Sequence, residues 1–191
     1  FPFDESSVPL RYRLQVGLVC PTNPYNPHER VLEQGGPKDP DGLGVHYYGS
    51  VIKVGGTLRM WYGGKGDDGG KVGTRTCYAE SQDGIHWDKP DLGLVEFNGS
   101  TQNNLVRFDS EYNAQMNSIL ILHEPEDPDP NRRFKMVNEV NPFIIIAAFS
   151  PDGLNWTESP HNLILNHNAV ECGGLMKFGD CYFMNGQGGN V

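Results

Sequence analysis

The residues that could bind a metal ion or a phosphate group lack the spacing that such sites require. His46, His161 and His167 are scattered without metal-ligand spacing, and no C-x-x-C pair occurs, so we expect no structural zinc site. The glycine-rich segment 64–73 lacks the G-K-[ST] ending of a phosphate-binding loop and is expected to be a mobile loop within a hairpin. We therefore expect neither a metal nor a cofactor.

Carboxylates are the commonest groups capable of chemistry. The 191 residues carry 24 Asp and Glu against 15 Lys and Arg, a formal net charge of −9. Nucleic acids and anionic membrane surfaces attract clustered Lys and Arg, so this balance argues against both as partners. No apolar run is long enough for a membrane span, which needs about 18 residues. The negative charge does not exclude a neutral or cationic ligand.

The four cysteines are expected to be free, buried thiols: Cys20, Cys77, Cys172 and Cys181. A hairpin turning at Gly179-Asp180 would pair Phe178 with Cys181 and put Cys172 opposite Gln187. The sulfurs of Cys172 and Cys181 would then lie roughly 20 Å apart along the ladder, too far for a disulfide.

One turn motif occurs twice. Residues 81–87 (SQDGIHW) and 150–156 (SPDGLNW) both read S-x-D-G-aliphatic-x-W, at an offset of 69. A strand-like run precedes each copy. Asp-Gly between apolar runs predicts a tight turn, because glycine adopts positive φ and the aspartate caps its own turn. We expect Asp83 and Asp152 to be structural and the motif tryptophans to pack between sheets.

A hairpin pattern repeats three times in phase with that motif. Its copies cover 49–62, 117–137 and 173–184, and aligning Ser50, Ser118 and Gly174 gives offsets of 68 and 56. Four-stranded antiparallel units repeated at this period are typical of β-propeller blades. We predict an all-β propeller domain over 41–191 with about two and a half blades, after a lead-in over 1–40. Closure takes four to eight blades, so we expect either a longer propeller or another element that covers the open edge.

These motifs resemble those of five-bladed propellers of glycoside hydrolase families 32 and 43. The resemblance is carried by the repeated turn, by the second-strand motif (Arg59-Met60-Trp61, matched by Lys135-Met136-Val137) and by the lead-in Tyr78-Ala79-Glu80-Ser81. It covers most of positions 40–190. The resemblance implies a carbohydrate substrate and a glycosidase. We expect the protein to be secreted or periplasmic.

Such propellers carry three acids at the inner ends of successive blades. Glu171, followed by Cys172, is similar to the family 32 general acid, and Asp39 or Asp41 in Asp-Pro-Asp-Gly resembles the nucleophile motif. The Arg-Asp-Pro motif that carries the transition-state stabiliser in the family is absent from the second blade. Asp109 and Glu111 are the nearest acids before Asn117, and one of them is the candidate stabiliser. One carboxyl must protonate the leaving oxygen while another attacks the sugar or activates water.

Aromatic and histidine side chains near the same pocket are candidate sugar contacts. These residues are Tyr47, Tyr48, Trp61, His46 and His167. Core packing is the alternative for the aromatic residues. The alternative function is a non-catalytic propeller that binds glycan or protein, which the missing Arg-Asp-Pro motif favours.

Overall fold

The structure is a computed structural model that describes residues 30–140, 144–161 and 170–188. Within its strands, the side chains of Tyr47, Val170, Glu171, Gln187 and Gly188 fall outside the description. The chain divides into two units, 1–30 and 31–191, and the second contains every element described below. The sequence-based boundary at 40/41 stays a prediction.

The first sheet is an antiparallel meander of three strands. Its strands are β1 (Gly44–Val54), β2 (Thr57–Asp68) and β3 (Lys71–Ser81). Gly55 turns β1 into β2 at φ +61°, and Gly69 and Gly70 turn β2 into β3 at φ +59° and +93°. The mobile loop expected over 64–73 is therefore wrong, since all but these two glycines extend the paired strands.

The second sheet contains five strands. They are β4 (Arg107–Asp109), β5 (Met116–His123), β6 (Phe134–Val140), β7 (Ile144–Ser150) and β8 (Asn155–Glu158), in the spatial order β4-β8-β7-β6-β5. Strands β5 to β8 form the expected antiparallel four-strand unit, and β4 adds in parallel to β8. A short 3-10 turn, Pro130–Arg132, lies in the acidic β5–β6 loop. It is the one helical element of the described residues, so the all-β prediction is confirmed.

The third sheet is the hairpin of β9 (Val170–Phe178) and β10 (Cys181–Gly188). Cys181 pairs with Phe178 as expected, but Cys172 lies opposite Gly186 instead of Gln187, because β9 holds one extra residue at Gly173. Cys77 and Cys172 are free and buried, as predicted, and burial raises the pKa of Cys172 to about 11. Cys181 is free but exposed, so its predicted burial is wrong. Cys20 lies outside the described residues.

The two S-x-D-G turns share one hydrogen-bond pattern. In the second copy, Ser150 Oγ accepts from the backbone N–H groups of Asp152 and Gly153, and Asp152 Oδ1 accepts from those of the next two residues. Trp156 Nε1 donates to the carbonyl of Gly153 at 2.9 Å. The first copy repeats every one of these bonds, with Asp83 in the place of Asp152. The structural role predicted for both aspartates is confirmed.

The main core lies between the first and second sheets. Trp61 is fully buried there, and it packs with Tyr78 of β3 and with Phe134 and Trp156 of the second sheet. Ser50 joins β1 to β5, the first strand of the antiparallel four-strand unit, because its Oγ donates to Ile119 O and accepts from Ile121 N, each at 2.9 Å. The first sheet thus contacts β5 through apolar packing and through a bridging hydroxyl.

A smaller core joins the second and third sheets. Cys172 of β9 packs there against Leu120 and Ile145. Outside it, Glu124 accepts from Lys135 and Tyr182 and pairs with Lys177. Burial would raise the pKa of Glu124, but these donors outweigh it and hold the pKa at about 2.

The other face of the first sheet is covered by the segment that follows β3. Trp87, Val95, Phe97 and Leu105 pack there on Tyr62 and its neighbours. Phe97 and Ser100 pair around the turn at Asn98-Gly99, both at positive φ, which is the geometry that Asn-Gly favours. No helix of the described residues is long and apolar enough to cross a membrane.

Candidate functional site

The candidate site is the end of the sheets at which β1, β5 and β9 begin. Each of these three strands contains a β-bulge near its first residues. Asn117 is the extra residue of β5, Gly173 is that of β9, and β1 carries two extra residues between His46 and Ser50. The bulge comes just before Ser50, Ser118 and Gly174, the positions aligned in the sequence repeat. Bulges re-aim side chains and are over-represented next to active sites.

Gly49 shows why the bulge of β1 needs a residue without a side chain. A Cβ atom at this position would lie 2.0 Å from the backbone oxygen of Trp61, far inside van der Waals contact. Only glycine therefore lets β1 approach β2 so closely at the bulge.

The bulge of β1 leaves an aromatic pair facing solvent. His46 is exposed and Tyr48 is 50 % exposed, and their ring centroids lie 4.7 Å apart in an edge-to-face arrangement. Both residues belong to the predicted sugar-binding set. An exposed ring pair beside polar groups is a surface that can pack on the C–H face of a sugar.

The repeat identifies the positions equivalent to Glu171. With the offsets of 68 and 56, Glu171 in β9 aligns with Gln115 before β5 and with Tyr47 in β1. Gln115 is exposed, and an isolated parallel bridge joins it to Thr74 of β3. The backbone of Glu171 in β9 pairs with that of Gln187 in β10. The side chains of Glu171 and Tyr47 lie outside the description. The first two repeats thus have no acidic residue at the position of Glu171.

Asp39 and Asp41 lie in the turn that leads into β1. Asp39 Oδ2 accepts from Gly36 N at 2.7 Å, and the backbone carbonyl of Asp39 accepts from Gly42 N at 2.9 Å, so the side chain stays at the surface. Asp41 is 1 % exposed and forms an ion pair of 2.5 Å with Lys89. Asp41 is thus enclosed by its own hydrogen-bond and ion-pair partners, and its catalytic role stays a prediction.

A buried polar chain surrounds Asp41. Asn104 Nδ2 donates to the Tyr62 hydroxyl at 2.8 Å, and that hydroxyl donates to Asp41 Oδ2 at 2.9 Å. Burial, followed by the neighbouring Cys77 and Asp41, raises the pKa of Tyr62 far above its usual value. Tyr62 therefore keeps its proton and stays a donor to Asp41. Sequence analysis missed Lys89 and Asn104, because their distance from Asp41 along the chain gives no signal.

The two acids predicted as stabilisers occupy different places. Asp109 is exposed at the end of β4, on the edge of the second sheet opposite β5, and its catalytic role stays a prediction. Glu111 is exposed in the turn that leads into β5, and its negative charge raises the pKa of the adjacent Tyr112. Glu111 thus lies at the start of β5 and Asp109 does not.

Trp61 lies in the core instead of the site. It is fully buried, and its Nε1 donates to Gly153 O at 2.7 Å. This burial favours the alternative of core packing over a sugar contact, because strand alternation points Trp61 toward the second sheet. His167 lies outside the described residues. Among the residues that are described, no three His, Cys, Asp or Glu side chains are grouped as metal ligands.

Part of the chain is similar to two proteins of Mycobacterium tuberculosis. No family model matches the sequence. Two curated relatives, uncharacterized proteins Rv1502 and MT1551 of Mycobacterium tuberculosis strains H37Rv and CDC 1551, are each 43% identical over 56 residues. The match covers 28% of this chain and 19% of each relative.

Similar solved structures come from species of Bacteroides and Parabacteroides. A candidate glycosidase of Bacteroides thetaiotaomicron has a TM-score of 0.46 at 16% identity, over 81% of this chain and 46% of that one. A candidate glycoside hydrolase of Parabacteroides distasonis has a TM-score of 0.44 at 13% identity, over 73% of this chain and 41% of that one. The chain spans less than half of either structure, and likenesses of this size carry no argument about function.

Proposed function

We propose that this protein is part of a β-propeller that hydrolyses glycosidic bonds at the end of the sheets where β1, β5 and β9 begin. The observation that carries the proposal is the bulge repeated at one position in these three strands. Strands β1, β5 and β9 are neighbours in space and carry their bulges at equivalent positions. Side chains from three successive repeats would therefore meet at one end of the sheets. The Ser50 bridge from β1 to β5 and the packing of Cys172 on Leu120 support this succession.

The aromatic pair His46 and Tyr48 supports a sugar as the ligand. Its rings are exposed, while the polar side chains of Asn113 and Gln115 are exposed at the start of the neighbouring strand β5. Sugars combine apolar C–H faces with hydroxyl groups, so they need apolar surface and hydrogen-bonding groups together. A net charge of −9 does not oppose a neutral sugar as it would a polyanion.

Glu171 is the proposed general acid. It stands two residues before the extra residue Gly173, at the start of β9. The second carboxyl is proposed to come from Glu111 or Asp39, the exposed acids of the candidate set that lead into β5 and β1. The acid protonates the leaving oxygen, while the other carboxylate attacks the anomeric carbon or activates water. A separation of about 5 Å would give retention, and about 6.5–9.5 Å inversion.

The test is turnover of aryl glycosides by Glu171→Gln. Loss of a general acid is expected to lower kcat about 10²–10⁴-fold on substrates with poor leaving groups. Glycosides with acidic phenols as leaving groups should suffer much less, since those phenols depart without a proton. Glu126→Gln, an exposed loop change, is the matched control and should leave kcat unchanged. Unchanged turnover by Glu171→Gln would exclude the acid role.

A non-catalytic glycan-binding propeller is the second candidate. The observation that favours it is the presence of Gln115 and Tyr47 where Glu171 stands in the third repeat, so the acids are not repeated. In that case the wild-type protein would bind oligosaccharides without turnover, and Tyr48→Ala would weaken binding. Turnover that Glu171→Gln abolishes would reject this candidate.

A further inference from the structure

A buried carboxylate lies at the candidate site, and it is not among the acids that the sequence motifs select. Glu139 of β6 is 8 % exposed. Among the residues that the structure describes, Asp41 is the only other buried carboxylate. Burying an ionised carboxylate is costly unless hydrogen bonds or opposite charges compensate it, so the position of Glu139 needs a reason.

Glu139 faces the junction of the second and third sheets. It pairs with Ser118 across the β5–β6 ladder, next to the bulge at Asn117. Alternate residues of a strand share one face, and Val137, two residues before Glu139, packs on the small core that contains Cys172. The Glu139 side chain therefore enters this junction at the end of the sheets where β5 and β9 begin.

The carboxylate contacts the backbone of β9 beside Glu171. Glu139 Oε2 accepts from Cys172 N at 3.4 Å. β9 is an edge strand of the third sheet as far as the structure describes it, so the N–H groups on its open side need partners outside that sheet. Burial, and after it the negative charge of Glu139, raises the pKa of the Cys172 thiol. The charge of Glu139 is therefore felt at the residue that follows Glu171.

The first sheet has no side chain at the equivalent place. Extending the match between the second-strand motifs aligns Glu139 with Gly63 of β2. A Cβ atom at Gly63 would lie 3.0 Å from Thr74 Cγ2, which leaves little room for a side chain. The chain that enters β5 is instead held by a backbone hydrogen bond from Thr74 N to Ala114 O at 3.1 Å. Glu139 thus supplies a side-chain contact at the junction that leads to Glu171.

We propose that Glu139 is a positioning residue for Glu171. Its carboxylate holds the first residues of β9 against the second sheet and thereby fixes the backbone from which Glu171 acts. The positioning role rests on the proposed function, because the placement of Glu171 matters for turnover only if Glu171 is the general acid. Misplacing a reacting group by about 1 Å can cost about 10²-fold in rate, so a contact at the neighbouring residue is sufficient.

Hydrogen exchange at the Cys172 amide tests the contact without any substrate. Glu139→Ala removes the acceptor, so we expect exchange at this amide to quicken at least about tenfold. Glu139→Gln keeps an acceptor oxygen at the same place and should exchange nearly as the wild type does. Glu126→Ala, which removes an exposed acid of the β5–β6 loop, is the matched control and should leave this exchange unchanged.

The kinetic test separates kcat from KM on aryl glycosides with poor leaving groups. Glu139→Ala should lower kcat about 10–10²-fold and change KM by less than about threefold, since Glu139 acts on the placement of the acid and not on sugar binding. Glu139→Gln should restore most of kcat. The double variant Glu139→Ala/Glu171→Gln should be no slower than Glu171→Gln alone, because no general acid is left to position.

A failure of the positioning role is distinguishable from a failure of the proposed function. Unchanged turnover by Glu171→Gln rejects the acid role itself. If Glu171→Gln is slow, the positioning role alone is overturned by wild-type kcat in Glu139→Ala, by additive losses in the double variant, or by unchanged exchange at the Cys172 amide. Glu139→Asp, which draws the carboxylate back by one carbon, replaces Glu139→Ala in each test if that variant does not fold.

Discussion

The two aspartates of the Asp-Pro-Asp-Gly turn show how burial separates neighbouring residues of one type. Asp39 is exposed and caps a turn, whereas Asp41 lies two residues later inside a polar network. Lys89, Tyr62 and the backbone of Gly35 all donate to Asp41. The sequence resemblance gives the two acids equal standing, but the structure gives Asp41 a structural role.

Matched substitutions of these aspartates test that difference. Asp41→Asn should lower the free energy of unfolding by about 2–3 kcal/mol, because it leaves Lys89 without its charged partner in a mostly buried place. Asp39→Asn should change it by less than about 0.5 kcal/mol, since an amide oxygen can still accept from Gly36. Urea unfolding of both variants measures the effect. Equal stability of the two would contradict the structural role of Asp41.

Much of the element level could be predicted from local sequence. Asp-Gly and Gly-Gly at strand ends specify turns through positive φ, and the apolar runs between them specify strands, so the hairpins and the repeated turn were predictable. The bulges were not, because they show only in the register between two strands. The same limit explains Cys172, whose partner shifts by one residue at Gly173.

The candidate site was less predictable than the fold. Periodicity alone cannot distinguish the exposed Tyr48 from the buried Trp61, since both are aromatic residues in strands of the first sheet. Their difference comes from which face the second sheet covers. Likewise, Asp109 precedes β5 in the chain but lies at the opposite edge of the sheet. Its strand β4 pairs with β8, not with β5.

The two S-x-D-G turns allow a prediction about how an element is placed. Gly84 and Gly153 both have φ +79°, where alanine costs about 1–2 kcal/mol. At Gly153 the added Cβ would also lie 2.7 Å from Trp61 Cζ2, whereas at Gly84 its nearest contact is Leu58 Cδ1 at 3.2 Å. Gly153→Ala should therefore cost about 1–3 kcal/mol more than Gly84→Ala in thermal or urea unfolding.

The opposite order, or equal losses for both variants, would contradict the packing of the second turn on the first sheet. Far-UV circular dichroism serves as the control, since each variant must retain the strand content of the wild type. A shifted near-UV signal in Gly153→Ala alone would be a further sign that Trp61 has moved.

At the scale of the molecule, residues that match in the sequence repeat join neighbouring sheets through different interactions. Arg59 of β2 donates to Asp152 O at 2.8 Å and to the Tyr78 hydroxyl at 2.7 Å, so it links the first sheet to the turn of the second. Its repeat counterpart Lys135 instead pairs with Glu124, which also bonds Lys177 and Tyr182 of the third sheet. The first junction is mainly apolar and aromatic, and the second depends on charge.

The aligned serines Ser50 and Ser118 test whether the first strands hold neighbouring sheets together. β5 is the edge strand of its sheet, and Ser50 Oγ satisfies a carbonyl and an N–H group of that edge. Ser50→Ala should lower the free energy of unfolding by about 1–3 kcal/mol, because both buried backbone groups lose their partner. Ser118 is 1 % exposed and its Oγ has no hydrogen-bond partner, so Ser118→Ala should cost less than about 0.5 kcal/mol or stabilise the protein. Urea unfolding compares the two, and hydrogen exchange at the Ile121 amide should quicken in Ser50→Ala alone. If Ser118→Ala proved the more destabilising, the hydroxyl of Ser50 would not be what joins β1 to β5. The arrangement of β1 beside β5, on which the proposed site depends, would then lose its main polar contact.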